Sequence, residues 1–222
     1  GWNVADQIGH LTYFDRNAAL AITDPDAFQA AMHALLNSGG DDMTLGPYRA
    51  MSPDELLAAW RSGRKELAAA AATLANDTRI AWYGPSMGSK SFLTARLMEA
   101  WAHGQDVVDA VGASREPTDR LRHISQLGFI TRGWTYVNRG LEVPSTPVRV
   151  ELTSPSGENW EFGPADAAES IVGPALDFCL VTTQRRHVDD TDLVVTGESA
   201  RDWMEKAQLF AGPASDGPPA RA

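Results

Sequence analysis

One cysteine, Cys179, occurs in 222 residues, which excludes an internal disulfide and fits a reducing compartment. Basic residues are scarce: 19 Lys and Arg against 29 Asp and Glu leave a net charge of -10 with histidine neutral. That field repels a phosphate backbone and argues against sequence-independent nucleic-acid binding. No apolar run approaches the roughly 20 residues that a membrane-spanning helix needs. No signal-like segment opens the chain, which starts at Gly1-Trp2 and passes at once into a helical pattern. Internal repeats are not evident. The apolar fraction of 43% and charged fraction of 22% are ordinary for a globular chain. The expectation is an acidic, soluble, cytoplasmic protein, monomeric or homodimeric, that meets a small molecule rather than nucleic acid or a membrane.

The length allows one large domain or two small ones. Asn3 followed by Asp6 reads as a helix cap, with Val4, Ile8 and Leu11 at helical spacing, and predicts a helix from about Val4 to Ile22. Asp24-Pro25 opens a second helix that Gly39-Gly40 should end. Ser52-Pro53-Asp54-Glu55 opens a third, running to about Ala75. A long helix is expected from Lys90 to Val111, and another from Thr118 to Arg139, so the first half reads as all helical. Beyond Gly140 the texture changes. Val148, Val150 and Leu152 alternate, a Ser-Pro-Ser-Gly turn follows, and Asn159 to Phe162 completes a β-hairpin. A strand near 168–172, a helix from Gly173-Pro174 to about Arg185, a strand at 193–195 and a helix from Ser199 to Phe210 complete a small α+β unit. The domains are expected at 1–115 and 116–210, with 211–222 a flexible tail rich in Gly and Pro.

Of the five histidines, two stand in suggestive company. Glu99, His103 and Asp106 follow at i, i+4 and i+7 on the long helix and share an arc with Phe92, Ala95, Ala102 and Ala110. Thr94, Gln105 and Asp109 form the polar face opposite. A carboxylate and an imidazole among apolar neighbours need a partner, and a metal ion supplies one. His10, flanked on its own arc by Asp6, Phe14 and Asn17, is the best source of a third ligand, with Asp6 placed to take its other ring N–H.

The pattern Trp2-x3-Asp6-x3-His10-Leu11, followed by Glu99-x-Trp101-x-His103-x2-Asp106, resembles the DinB-like metal-binding family that includes mycothiol-dependent maleylpyruvate isomerase. The stretch from Asp177 to His187 resembles the C-terminal part of an uncharacterised branch of that family. The resemblance implies a mainly α fold, a DinB-like helical bundle followed by a small α+β domain. It also implies metal ligation by His10, Glu99 and His103, a catalytic Asp106, a catalytic Arg185 or Arg186, and a further bundle helix before Gly1. The active site is then expected where the two domains meet.

A two-His, one-Glu set suits catalytic zinc, with ferrous iron or nickel as alternatives. Zinc beside mycothiol gives a thiol-dependent isomerase or transferase acting on a small electrophilic or carboxylate metabolite. The same ligands suit a hydrolytic or non-haem-iron tailoring enzyme, or a non-catalytic metal-binding protein. Arg185 and Arg186 either clamp an anionic substrate or pair with Asp189 and Asp190. Cys179, between Phe178 and Leu180, reads as a buried structural thiol. Trp101, Trp134, Trp160 and Trp203 read as core, His123 and His187 as surface or satisfied residues, and the Gly84–Ser89 loop as a plain turn.

Overall fold

A computed structural model describes residues 1–38 and 41–221. The expected stop of the second helix at Gly39-Gly40 lies outside the described residues. The chain divides into two compact units, Gly1–Ala113 and Ser114–Ala222.

The first unit is helical. Its central helix, α1 (Val4–Thr23), packs against α2 (Pro25–Ser38), the short α3 (Asp41–Thr44) and α4 (Gly46–Arg49), and α5 (Pro53–Ala71). Both long-helix starts read from the sequence are capping boxes: Asn3 with Asp6, and Ser52 with Glu55, the latter followed by Pro53. Before the last helix the chain departs from the all-helical expectation. Two-residue strands β1 (Arg79–Ile80) and β2 (Met87–Gly88) pair antiparallel and lead into α6 (Ser89–Ala110). Such a hairpin is too short to show alternation. It carries Trp82 and Tyr83 into an aromatic core with Phe28 and Phe92, which closes over Ala18 and Ala21 of α1. The small side chains of α1 let its neighbours approach closely. At Gly9 an added Cβ would stand 3.0 Å from the Cβ of Tyr48 on α4.

The second unit begins with α7 (Leu121–Ile130) and α8 (Arg132–Val137), where one continuous helix was expected. The break falls at Thr131, whose hydroxyl donates to the Leu127 carbonyl at 2.7 Å and competes with the helix ladder. Then follow β3 (Val148–Thr153), β4 (Asn159–Phe162), β5 (Glu169–Pro174), α9 (Ala175–Thr182), β6 (Val194–Thr196) and α10 (Glu198–Lys206). The sheet order is β4-β3-β5-β6. The predicted β3–β4 hairpin is present, β3 and β5 run parallel, and β5 and β6 antiparallel. Val148, Val150 and Leu152 point into the core, as their alternation predicts, with Trp160 and Trp203 also buried. The helix expected to reach Arg185 stops at Thr182, because Gln184 turns left-handed at φ 60° and the Arg185 N–H donates back to the Leu180 carbonyl at 2.7 Å. The closing helix stops at Lys206 rather than Phe210, since Leu209 turns to donate its N–H to the Thr182 carbonyl. The segment expected to be a flexible tail instead returns to its own unit. Asn138 donates to the Gly212 carbonyl at 3.0 Å, buried Gln208 donates to that of Pro213 at 3.1 Å, and Gln208 accepts from the Ser215 N–H at 3.1 Å. No helix among the described residues is long and apolar enough to cross a membrane.

Candidate metal centre

The first ligand candidate comes from α1. The Asn3 side chain accepts from the Asp6 N–H at 2.9 Å, and the Asp6 carboxylate from the Asn3 N–H at 3.1 Å. This box fixes where the helix starts and therefore where His10 points. Asp6 was expected to hold His10 as well. Its carboxylate is instead taken by Arg49 of α4, whose Nε donates to Oδ1 at 2.7 Å. That ion pair spans 43 residues, so no local pattern announces it.

Glu99 and His103 face α1 from α6, one turn apart, as their i, i+4 spacing dictates. His10 Nε2 and His103 Nε2 lie 3.5 and 3.1 Å from the same oxygen, Glu99 Oε2. The two imidazole rings are 4.4 Å apart centre to centre. Among the described residues these three side chains form a set with one donor atom from each, all within 4.8 Å of one another. One ion with bonds of about 2.0–2.2 Å joins donors up to about 4.4 Å apart, so shifts of a few tenths of an ångström bring the whole set into range. On the other side of its ring, His103 Nδ1 stands 2.5 Å from Gln7 Oε1 and 3.4 Å from Asp106 Oδ2.

The electrostatics favour a cation. The side chains of His10, Glu99 and His103 are 17, 19 and 11% exposed, so water screens them little. Burial pushes the His10 imidazole below its usual value, against the upward pull of Glu99. Burial also works to raise Glu99, but the two imidazoles beside it and the charge of Arg96 outweigh it and hold the carboxyl well below its usual range. A neutral imidazole beside an ionised carboxylate is the protonation state that metal binding requires. Arg96 is itself buried and donates to Asp15 of α1 at 3.0 Å. The centre is walled by aromatic rings: Trp2 lies 5.0 Å from His10 and 6.0 Å from His103, and Phe14 lies 4.5 Å from His10.

The structure thus brings together His10, Glu99, His103 and Asp106. Arg185 and Arg186 belong to the second unit, just past α9, where their Nη1 atoms donate to the Thr183 and Arg185 carbonyls at 2.6 Å each. Asp189 is paired with Arg201 at 2.5 Å. Cys179 is fully buried with its thiol pushed up to about 12, as fits a structural residue. The Gly84–Ser89 turn is held by Arg79, whose Nε donates to the Ser86 hydroxyl at 3.1 Å, and by the Ser89 hydroxyl donating to the Asn76 carbonyl. Sequence reasoning missed Gln7, Arg96 and Asp15. The signal for Gln7 was available, since it sits three residues before His10 and shares its face of α1.

Two imidazoles and a carboxylate on neighbouring helices form a set that could hold a metal ion within a helical unit. The chain belongs to the DinB-like metal-binding family that includes mycothiol-dependent maleylpyruvate isomerase. Residues 1–108 match the family described as mycothiol maleylpyruvate isomerase N-terminal domain. Residues 144–197 match a second family, described as wyosine base formation, which the sequence reading did not foresee. Two uncharacterized proteins of Mycobacterium tuberculosis, one from strain CDC 1551 / Oshkosh and one from strain H37Rv, are each 44% identical over 219 residues, covering 98% of this chain and 85% of the relative. No solved structure matches.

Proposed function

We propose that the protein is a metal-dependent, mycothiol-dependent isomerase or transferase acting on a small electrophilic or carboxylate metabolite, with zinc held by His10, Glu99 and His103. The observation that carries this reading is the convergence of two imidazole nitrogens on one carboxylate oxygen. A divalent zinc there supplies a Lewis acid that favours the thiolate form of a bound thiol at neutral pH. The protein's own residues do the rest. Trp2 and Phe14 pack against His10 and hold its ring, and Asp106 orients the thiol from beside His103. Arg185 or Arg186 holds the substrate carboxylate or developing enolate. A thiolate that adds to an unsaturated carbon and then leaves after bond rotation isomerises the substrate with no net oxidation; one that stays, while the neighbouring carbon takes up the proton the thiol gave up, transfers the thiol to the substrate.

The test is quantitative metal content of protein purified without chelator, joined to turnover of maleylpyruvate and related unsaturated acids with and without mycothiol. Zinc near one equivalent with thiol-dependent turnover supports the proposal. Iron as the resident metal with thiol-independent turnover favours a tailoring oxygenase or hydrolase on the same ligands. The family match over residues 144–197 supports a second reading, in which that segment handles a modified base of the wyosine type. Turnover of nucleoside or RNA substrates, measured beside the organic acids, separates the two.

A further inference from the structure

We infer that Gln7 is the positioning residue of the metal centre: its amide oxygen holds the His103 proton on Nδ1 and so presents the Nε2 lone pair to the metal. The inference rests on the reading of His10, Glu99 and His103 as ligands, and it adds a residue that the His10 and Glu99–His103 motifs do not contain.

The geometry comes first. Gln7 Oε1 is 2.5 Å from His103 Nδ1, whereas Asp106 Oδ2, a second acceptor at that nitrogen, is 3.4 Å away. An amide oxygen can only accept, so the nitrogen facing it carries a proton. A neutral imidazole has one N–H. With the proton on Nδ1, the lone pair sits on Nε2, the atom that faces Glu99 Oε2 at 3.1 Å. Without Gln7 the Nδ1 proton loses its short contact and keeps the longer one to Asp106 at 3.4 Å, which favours its move to Nε2, where it would hydrogen-bond Glu99 and block the ligand position. Gln7 decides between a ligand and a plain ion pair.

The placement explains how the contact is held. Gln7 lies on the first turns of α1, directly after the Asn3–Asp6 capping box and one turn before His10. One helix therefore presents a ligand of its own and the partner of a ligand on α6. The brace spans 96 residues and ties the two helices at the centre. Its chemistry also differs from the usual carboxylate partner of a ligating histidine. A neutral amide fixes the tautomer without adding negative charge. With the amide as the nearer acceptor, the Asp106 carboxylate at 3.4 Å stays the more distant one, and Glu99 is the one carboxylate among the three ligands.

The experiment is a cobalt(II) titration of the full chain after chelator stripping, read by visible d–d absorption, with zinc competition for affinity. It compares wild type, Gln7→Leu, Gln7→Asn, Gln7→Glu and His103→Ala. Gln7→Leu should weaken binding by roughly 10- to 100-fold, the range for loss of an outer partner of a metal ligand. Gln7→Asn, which draws the amide back by one methylene, should do the same if the leucine variant fails to fold. Gln7→Glu restores an acceptor oxygen and should recover affinity to within a few-fold of wild type. If both Gln7→Leu and Gln7→Asn bind cobalt with wild-type affinity and spectrum while His103→Ala does not bind, Gln7 plays no part and the ligand reading stands. If wild type itself gives no ligand-field spectrum, or His103→Ala gives the same one, the ligand reading fails and takes this inference with it.

Discussion

Glu99 Oε2 stands 3.5 Å from His10 Nε2 and 3.1 Å from His103 Nε2, so two imidazoles contend for one acceptor oxygen. Either both bring a proton or a cation stands in for the protons. Two inward lone pairs facing a carboxylate with nothing between them would be repulsive. The first solution needs both ring protons at His103, whose Nδ1 already faces Gln7 Oε1 at 2.5 Å, and so a charged imidazolium that is largely buried. The second solution satisfies all three groups at once.

Metal binding should therefore register in stability. With free metal at about 100 times its dissociation constant, binding to the folded state alone contributes about 2.7 kcal/mol. For a unit of this size that is a rise in Tm of roughly 10 °C. Adding a chelator should remove the increment from wild type. Glu99→Gln should melt near the chelated wild type, insensitive to added zinc, with little metal by elemental analysis. A Glu99→Gln protein that still binds one equivalent and melts higher with zinc would exclude Glu99 as a ligand.

The Asp6–Arg49 pair gives a pH signature. The hydrogen bond from Arg49 holds the Asp6 carboxyl below its ordinary value, against desolvation. A group with a depressed folded pKa stabilises most above its unfolded pKa, about 3.9 for Asp, and loses that contribution as pH falls through the lower folded value. Asp6→Asn should thus lower Tm at neutral pH, and the gap to wild type should close below about pH 4. Thermal melts of both proteins across that range decide it; a constant gap would mean that shape rather than charge at Asp6 matters.

Asp15 and Arg96 form a buried pair at 3.0 Å between α1 and α6, with both side chains under one-tenth exposed. Removing one partner strands a charge, which typically costs about 3–5 kcal/mol, whereas replacing both with apolar residues of similar size is often neutral. Asp15→Ala is expected to destabilise by that amount and Asp15→Leu/Arg96→Met by much less. Because the charge of Arg96 also disfavours positive charge at His10, the double variant should bind a divalent ion at least as tightly as wild type. Denaturant unfolding together with a metal titration reads both effects.

Local chemistry was legible where a signal is confined to a few turns. The boxes Asn3–Asp6 and Ser52–Glu55, the one-turn spacing of Glu99 and His103, and the alternation of Val148, Val150 and Leu152 all follow from helix or strand periodicity. What was not legible depends on partners far along the chain. Gln7 meets His103 across 96 residues and Asp6 meets Arg49 across 43. The helix break at Thr131 follows a threonine hydroxyl bonded back to the Leu127 carbonyl, and the stop at Thr182 a left-handed Gln184, in stretches whose apolar pattern still reads as helix. The docking of the Gly-Pro-rich end depends on Gln208, a buried amide inside a segment that reads as helix.

The arginines of the second unit carry the last prediction. Both follow α9, where Gln184 takes a left-handed conformation at φ 60° and turns the chain. If Arg185 or Arg186 clamps the anionic part of the substrate, the planar guanidinium matters as well as the charge, since it can donate two parallel hydrogen bonds to a carboxylate or enolate. Replacement by Lys keeps the charge and loses the fork. One of Arg185→Lys and Arg186→Lys should then lower kcat/KM by about 10- to 100-fold, the scale of one lost transition-state hydrogen bond, with melting temperature and metal content unchanged. The other should stay near wild type, which would also establish which of the two acts. Near-wild-type kcat/KM in both variants would leave the arginines a structural role only.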